Sequence, residues 1–229
     1  SGLRKSLIES AEESNIELSF CKNADEVDVE KTDGIVAVGR FLSAELEKMK
    51  QLGIQVLFVD SNPNPHEFNS IQPNLQVMVE TAIDYFVQAG YQKIGFIGGR
   101  SWDSTEGRHV LRDTRTRCFE SRARELGLFN QNHVFIGDNF SVDSGYQVGR
   151  EIVGKIRDDL PQGFLVASDP LAVGVLQAFN ENKLTVPEDV SMISINDIDI
   201  AKYVSPPLTT FRIDTEELGK VAIETLRNL

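Results

Sequence analysis

Three apolar runs of the 229-residue sequence each end in short polar side chains: Asp60, Ser168 with Asp169, and Asn196 with Asp197. Short carboxylates and amides held in fixed positions suit neighbouring hydroxyl groups, because one such group can bond two hydroxyls at once. If the runs are strands of a parallel sheet, their carboxyl ends meet at one edge, where α/β proteins bind ligands. The pattern predicts a site for a small, hydroxyl-rich ligand.

Three longer side chains extend this predicted site. Arg115 begins a predicted helix and supplies a rigid fork of donors for a ring oxygen or a hydroxyl. Phe140 lies in another strand-to-helix loop and is expected to cover the apolar face of a sugar ring, a role that Trp102 also suits. The other arginines of segment 112–124 are interleaved with acidic residues, which is typical of a solvated helix face. Taken together, the set favours a small polyol or sugar over a nucleotide.

Two of the acidic residues have a second interpretation. Asp169 and Asp197 each precede a helical run, so both also fit the pattern of a helix N-cap. The residues alone leave ligand binding and capping open for these two side chains.

The elements that position these residues alternate along the chain. Short apolar runs predict buried strands at 34–38, 56–60, 93–97, 133–136, 164–167 and 191–195. Helical periodicity predicts helices at about 43–52, 75–89, 115–126, 143–159 and 171–182. Three of these helices end in a glycine suited to a left-handed turn: Gly53, Gly90 and Gly127. Alternating βα units predict a doubly wound parallel sheet of the α/β class, and proline-rich stretches at 60–65 and 205–209 are natural passages between lobes.

Composition and charge exclude several classes of protein. Lys and Arg number 23 against 35 Asp and Glu, and the net charge of −12 argues against this segment gripping a phosphate backbone by itself. No apolar run approaches the roughly 18 residues of a membrane span. The two cysteines, Cys21 and Cys118, form no CxxC motif and favour a reducing cytoplasm.

The motifs of common enzymes are missing from the sequence. The run Gly95–Gly99 (GFIGG) is neither a dinucleotide-binding fingerprint nor a P-loop. The histidines stand apart from one another and from cysteine, and no GxSxG elbow occurs. We therefore predict a binding protein rather than an enzyme, with no cofactor and no metal.

Several motifs follow one another in a specific order. They are Gly53–Asp60 (GIQVLFVD), Gly90–Gly99 (GYQKIGFIGG), Phe164–Gly174 (FLVASDPLAVG), Leu184–Asp197 (LTVPEDVSMISIND) and Ser205–Thr210 (SPPLTT). Together they resemble the core of the LacI/GalR family of bacterial transcriptional repressors, from about Gly34 to Gly219. Within that family, Asp113–Arg115 and Ser194–Asp197 are most similar to the galactoside-responsive repressors.

This resemblance implies a type I periplasmic-binding-protein fold, in which two Rossmann-like lobes with parallel sheets are joined by three crossovers and the effector lies in the cleft. The N-terminal lobe would comprise residues 1–72 and 209–229, without the family's usual first and last strands, and the C-terminal lobe residues 73–208. The effector-binding positions carried over are Asp60, Arg115, Phe140, Ser168, Asp169 and Asn196. Ser168 stands where the family often has Asn, and Asn196 where it often has Asp.

The function that the resemblance implies is an effector-binding and dimerisation core. A galactose-like sugar would control the binding of operator DNA by an N-terminal helix-turn-helix headpiece that this sequence does not contain. The implied assembly is a cytoplasmic homodimer with no membrane partner. The segment 171–179 is apolar around most of its helical circumference, which fits either contact with a partner or burial within one subunit. The alternative function is a periplasmic-type sugar-binding protein of an uptake system.

Overall fold

A computed structural model describes residues 2–103, 108–110 and 113–229, and for residues 102–103 and 108–110 it describes the backbone only. The chain divides into two compact units. The first unit comprises Ser1–Pro73, Trp102–Arg108 and Asp214–Leu229, and the second comprises Asn74–Ser101 and His109–Ile213. No helix of the described residues is long and apolar enough to cross a membrane.

Helices and strands alternate along most of the chain. The helices are α1 (Gly2–Glu13), α2 (Ser43–Gln51), α3 (Leu75–Gln88), α4 (Thr114–Glu125), α5 (Val142–Ile156), α6 (Asp169–Glu181) and α7 (Thr215–Asn228). The strands are β1 (Gly34–Val38), β2 (Gln55–Val59), β3 (Asn69–Ile71), β4 (Ile94–Gly99), β5 (Ser101–Asp103), β6 (Arg108–Val110), β7 (Val134–Gly137), β8 (Gly163–Val166), β9 (Ser191–Asn196) and β10 (Thr209–Arg212). β5 and β6 form a separate two-stranded sheet.

The first unit contains a parallel sheet in the order β1-β2-β3. Phe58 in the central strand is fully buried, and its ring meets the ring of Phe41 edge-on at 5.6 Å and that of Phe68 at 4.8 Å. Helix α7 packs against this sheet and against α1, where the Ser6 hydroxyl donates to the carbonyl of Glu216 at 2.6 Å. Both chain ends described in the structure therefore belong to this unit.

The second unit contains a five-stranded parallel sheet in the order β10-β9-β8-β4-β7. Its central strands, β4 and β8, are buried along their whole length, which matches the prediction of strands covered on both faces. Phenylalanine side chains dominate its core: Phe86, Phe96, Phe119, Phe164 and Phe179. The two parallel sheets confirm the predicted α/β class.

The predicted strands and helix ends agree closely with the structure. All six predicted strands occur, within two residues at either end. Gly53, Gly90 and Gly127 follow the last residues of α2, α3 and α4 with φ angles of +67°, +81° and +69°. These glycines thus occupy the left-handed position at which the chain leaves a helix.

The structure differs from the sequence-based prediction at β10 and α6. Thr209–Arg212 pairs in register with Ile193–Asn196, so this segment is the edge strand of the second sheet, beyond the boundary expected at residue 208. Helix α6 begins at Asp169 rather than at 171. Its first turn accommodates Pro170, because the N–H that proline lacks would have no partner within the helix there. Most of its apolar residues are buried within the single chain, and Val173 is half-buried; the buried ones are Leu171, Ala172, Val175, Leu176, Ala178 and Phe179. Burial within one subunit therefore explains why this helix is apolar around most of its circumference.

Candidate functional site

The carboxyl edge of the five-stranded sheet carries most of the residues that the sequence singled out. Ser168 and Asp169 follow β8, Asn196 ends β9, and Phe140 follows β7 in the loop before α5. Arg115 lies in the first turn of α4. The parallel direction of these strands brings their ends to one edge of the sheet, as expected for a ligand site in this class of fold.

Arg115 is fixed at this edge by three hydrogen bonds. Its Nε donates to Oδ2 of Asp113 at 2.9 Å, Nη2 donates to the same oxygen at 2.5 Å, and Nη1 donates to the carbonyl oxygen of Ala167 at 2.9 Å. Asp113 is itself the N-cap of α4, because its Oδ1 accepts from the backbone N–H of Thr116 at 3.1 Å. Only 15% of the Arg115 side chain is exposed. One carboxylate thus joins the helix start to the guanidinium.

The Arg115 guanidinium retains donors for a ligand. Among the described residues, these bonds use the Nε donor and one donor on each terminal nitrogen, so within that part of the chain each terminal nitrogen keeps a second N–H. The positive charge is balanced by Asp113, which is also largely buried, with 12% of its side chain exposed. The pair as a whole therefore presents hydrogen-bond donors without a net charge.

Phe140 forms an apolar surface beside Arg115. The guanidinium carbon of Arg115 lies 4.5 Å from the centre of the Phe140 ring, within the range of a cation–π contact. The loop that carries Phe140 passes very close to Gly99, where an added Cβ would lie 2.5 Å from the carbonyl oxygen of Asn139. The absence of a side chain at residue 99 allows this close approach. A second aromatic residue, Trp102, was expected here, but its side chain lies outside the part of the chain that the structure describes. Arg112 lies wholly outside that part.

Ser168 is the most informative residue at the strand ends. It is the N-cap of α6, yet its hydroxyl makes no capping bond. The residue is 3% exposed, and among the described residues its Oγ has no hydrogen-bond partner. A buried hydroxyl without a partner costs free energy, since it has given up its hydrogen bonds to water. Ser168 directly follows Ala167, whose carbonyl oxygen accepts a hydrogen bond from Arg115.

Asp169 does not occupy the position that a ligand-binding residue requires. Its side chain is completely buried, and both carboxylate oxygens accept hydrogen bonds from the protein. Oδ1 accepts from the hydroxyls of Ser194 and Thr210, and Oδ2 accepts from the backbone N–H of Ile198. Asp169 is not the N-cap of α6 either, because Ser168 occupies that position. Asp169 therefore supports the residues at the strand ends through hydrogen bonds within the protein.

Asn196 and Asp197 form a turn with an unusual backbone. Their φ angles are +127° and +56°, although neither is a glycine. Asn196 is half-buried, and its backbone carbonyl accepts from the N–H of Ile213 at 3.4 Å. The interpretation of Asp197 as a helix cap is wrong, because the short 3-10 helix Asp199–Lys202 has Ile198 as its N-cap.

Asp60 belongs to the first unit, where it directly follows β2. Its φ is +62°, and its backbone N–H donates to the carbonyl of Ile71 at 2.9 Å, beside the end of β3. The side chain is exposed. Asp60 thus stands at the carboxyl end of its own sheet, in the position that the sequence predicted for it.

The sequence-based reasoning missed the residues that support the site. The sequence patterns do not identify Ser194 and Thr210 as partners of Asp169, or Asp113 as the partner of Arg115. One signal was present for Ser194, because a serine inside a buried strand needs a hydrogen-bond partner. Among the described residues, no cluster of His, Cys, Asp and Glu is suited to a metal ion.

Comparisons with known proteins show that the chain is similar to bacterial transcriptional regulators. The family model of the periplasmic binding protein-like domain matches residues 83–229. The HTH-type transcriptional regulator GanR of Bacillus subtilis (strain 168) is 39% identical over 93% of this chain and 64% of its own length. The HTH-type transcriptional regulator LacR of Lactobacillus helveticus is 41% identical over 86% of this chain and 58% of its own length. The chain thus spans about three fifths of these relatives, which are transcriptional regulators rather than enzymes or uptake proteins.

Solved structures show the same fold. A LacI family transcriptional regulator from Mycobacterium smegmatis aligns with a TM-score of 0.80 and 21% identity, over 100% of this chain and 84% of that one.

Proposed function

Because the chain belongs to the periplasmic binding protein-like family, in the form found in LacI/GalR-type regulators, we propose that it is the effector-binding core of such a regulator. The effector we propose is a neutral, galactose-like monosaccharide. Its binding controls the affinity of a helix-turn-helix headpiece, outside this chain, for operator DNA. The protein acts in the cytoplasm, without a cofactor or metal and without catalysing a reaction.

One observation carries the choice of ligand: among the described residues the buried Ser168 hydroxyl has no hydrogen-bond partner, and the preceding residue, Ala167, accepts a hydrogen bond from the charge-balanced Arg115. Arg115 already pairs with Asp113, so its charge is balanced and it attracts a phosphate or carboxylate less strongly than an unpaired guanidinium would. Neutral hydroxyls need only single donors and acceptors, which Arg115, Ser168 and Asn196 supply. The Phe140 ring supports an apolar sugar face at the same edge. These features favour a neutral sugar over an anion.

Asp60 is included in the proposal on the strength of the sequence resemblance. In the structure it directly follows β2 of the first unit, and the other proposed ligand residues belong to the second. Asp169 is removed from the set of direct contacts, since both its oxygens are engaged within the protein. The proposed contacts are Asp60, Arg115, Phe140, Ser168 and Asn196.

The proposed homodimer forms through the apolar segment Ile198–Tyr203. Three large apolar side chains of this segment are exposed: Ile198 at 38%, Ile200 at 42% and Tyr203 at 84%. A cluster of exposed apolar side chains is typical of a surface that binds a protein. Helix α6 is not required for this contact, because most of its apolar residues are already buried within the chain.

A gel shift with the full-length protein and its operator DNA tests the proposed function. We expect specific DNA binding that changes with millimolar galactose, and no binding by the 229-residue chain alone, whose net charge is −12. An uptake protein would bind the sugar without binding DNA. Failure of the full-length protein to bind DNA would therefore refute the proposal of a regulator and favour that of an uptake protein.

A further inference from the structure

The turn that ends β9 has a strained backbone. Asn196 and Asp197 are consecutive residues with positive φ, at +127° and +56°. Side chains larger than hydrogen rarely adopt such angles, and the strain persists only where surrounding contacts hold it. The contacts that hold this turn therefore determine where the Asn196 side chain lies.

Two buried or half-buried side chains bind the backbone directly after Asn196. The N–H of Asp197 donates to Oγ1 of Thr210 at 3.2 Å, and the N–H of Ile198 donates to Oδ2 of Asp169 at 2.8 Å. The Thr210 hydroxyl in turn donates to Oδ1 of Asp169 at 2.6 Å. One continuous chain of hydrogen bonds thus joins α6 and β10 to two successive amides of the turn.

We propose that Asp169 and Thr210 are positioning residues for effector binding, which hold the turn 196–198 so that the Asn196 amide faces the ligand. The inference rests on the proposed function, since Asn196 is a ligand contact only under that proposal. Asp169 makes no ligand contact in this proposal, because both its carboxylate oxygens accept hydrogen bonds within the protein. It acts through the turn, whose amides at residues 197 and 198 are held by these bonds.

Ser194 provides a matched control for this arrangement. Its hydroxyl donates to the same Oδ1 atom of Asp169, but it makes no bond to the amides of residues 197 and 198. Ser194→Ala therefore removes a hydrogen bond from Asp169 and leaves the turn contacts in place. Thr210→Val keeps the shape of the side chain and removes the bond to Asp197.

Hydrogen exchange on the full-length protein without a sugar tests the first half of the proposal. We expect Thr210→Val to accelerate exchange of the Asp197 amide at least about tenfold, with the amides of β8 unchanged. Ser194→Ala should leave the Asp197 amide close to its wild-type rate. An unchanged Asp197 amide in Thr210→Val would overturn the proposal.

A double-mutant cycle with galactose as the probe tests the second half. Thr210→Val should raise the galactose Kd about tenfold, and it should have little further effect in the Asn196→Ala background. A purely structural role predicts the opposite result, in which the two effects add, and that result would refute the proposal. If the wild-type protein binds no galactose, the proposed effector is wrong, and the exchange experiment still decides whether Asp169 and Thr210 hold the turn.

Discussion

The guanidinium of Arg115 lies 4.5 Å from the centre of the Phe140 ring, although 25 residues separate them in the chain. The contact joins the start of α4 to the loop after β7. It combines a donor group and an apolar ring at the carboxyl edge of one sheet. A sugar offers both hydroxyls and an apolar face, so this pair matches the two kinds of surface that a sugar presents.

Removal of the Arg115 side chain should weaken sugar binding strongly. Arg115→Ala leaves ligand hydroxyls without donors and leaves the buried Asp113 carboxylate without its ion pair, so we expect a loss of about 2–3 kcal/mol, or roughly 30- to 150-fold in Kd. Titration calorimetry with galactose measures this loss. Arg124→Ala is the matched control, because Arg124 also lies over a phenylalanine ring, that of Phe129 at 3.6 Å, at the other end of α4. Equal effects of the two substitutions would contradict the assignment of Arg115.

Ser168→Ala should separate ligand binding from stability. The hydroxyl has no partner among the described residues, so its removal should change the free energy of unfolding without ligand by less than about 0.5 kcal/mol, or increase it slightly. With galactose present, the variant should lose about 0.5–1.5 kcal/mol of binding free energy. Urea unfolding with and without the sugar measures both quantities. A large loss of stability without ligand would show that the hydroxyl has a partner within the protein.

Ser168 and Asp169 show how far the sequence could predict the site. The apolar run before them and the helical period after them placed both at a strand end, and the structure confirms that location. The direction of each side chain depends on residues far along the chain, since Ser194 and Thr210 come to Asp169 only through the pairing of β9 and β10. β10 has four residues, too few for a periodic pattern. The fold class could therefore be predicted from the sequence. The sequence did not predict which strand-end residues contact the ligand and which only support the site.

Close packing of α5 on α6 makes Gly174 intolerant of a side chain. An added Cβ would lie 2.0 Å from the carbonyl oxygen of Val142 and 2.5 Å from the amide nitrogen of Tyr146, both backbone atoms. Gly174→Ala should therefore lower the free energy of unfolding by about 3 kcal/mol or more. Gly154→Ala is the control, because nothing lies within 4 Å of its added Cβ. That helical substitution should stabilise the protein by about 0.5–1 kcal/mol, and thermal unfolding that ranks the two variants in reverse would contradict the packing described.

A charge on the exposed apolar segment should dissociate the proposed dimer. Tyr203 is 84% exposed, so Tyr203→Asp should leave the stability of one chain almost unchanged. Because Tyr203 lies in the proposed interface, the substitution should raise the Kd of the dimer at least about tenfold. Light scattering over a range of concentrations measures this change. Tyr85→Asp, at another exposed tyrosine on α3, is the control and should leave the dimer intact.

The most direct test of the account is the thermal unfolding of the full-length protein with neutral and anionic sugars. Galactose at about a hundred times its Kd should add roughly 2.7 kcal/mol of stability to the effector-binding core. Galactose 6-phosphate and galacturonate should add much less, because Asp113 already balances the positive charge of the Arg115 guanidinium. Stabilisation by the anionic sugars alone, or by no sugar in the set, would contradict the proposal of a neutral sugar effector.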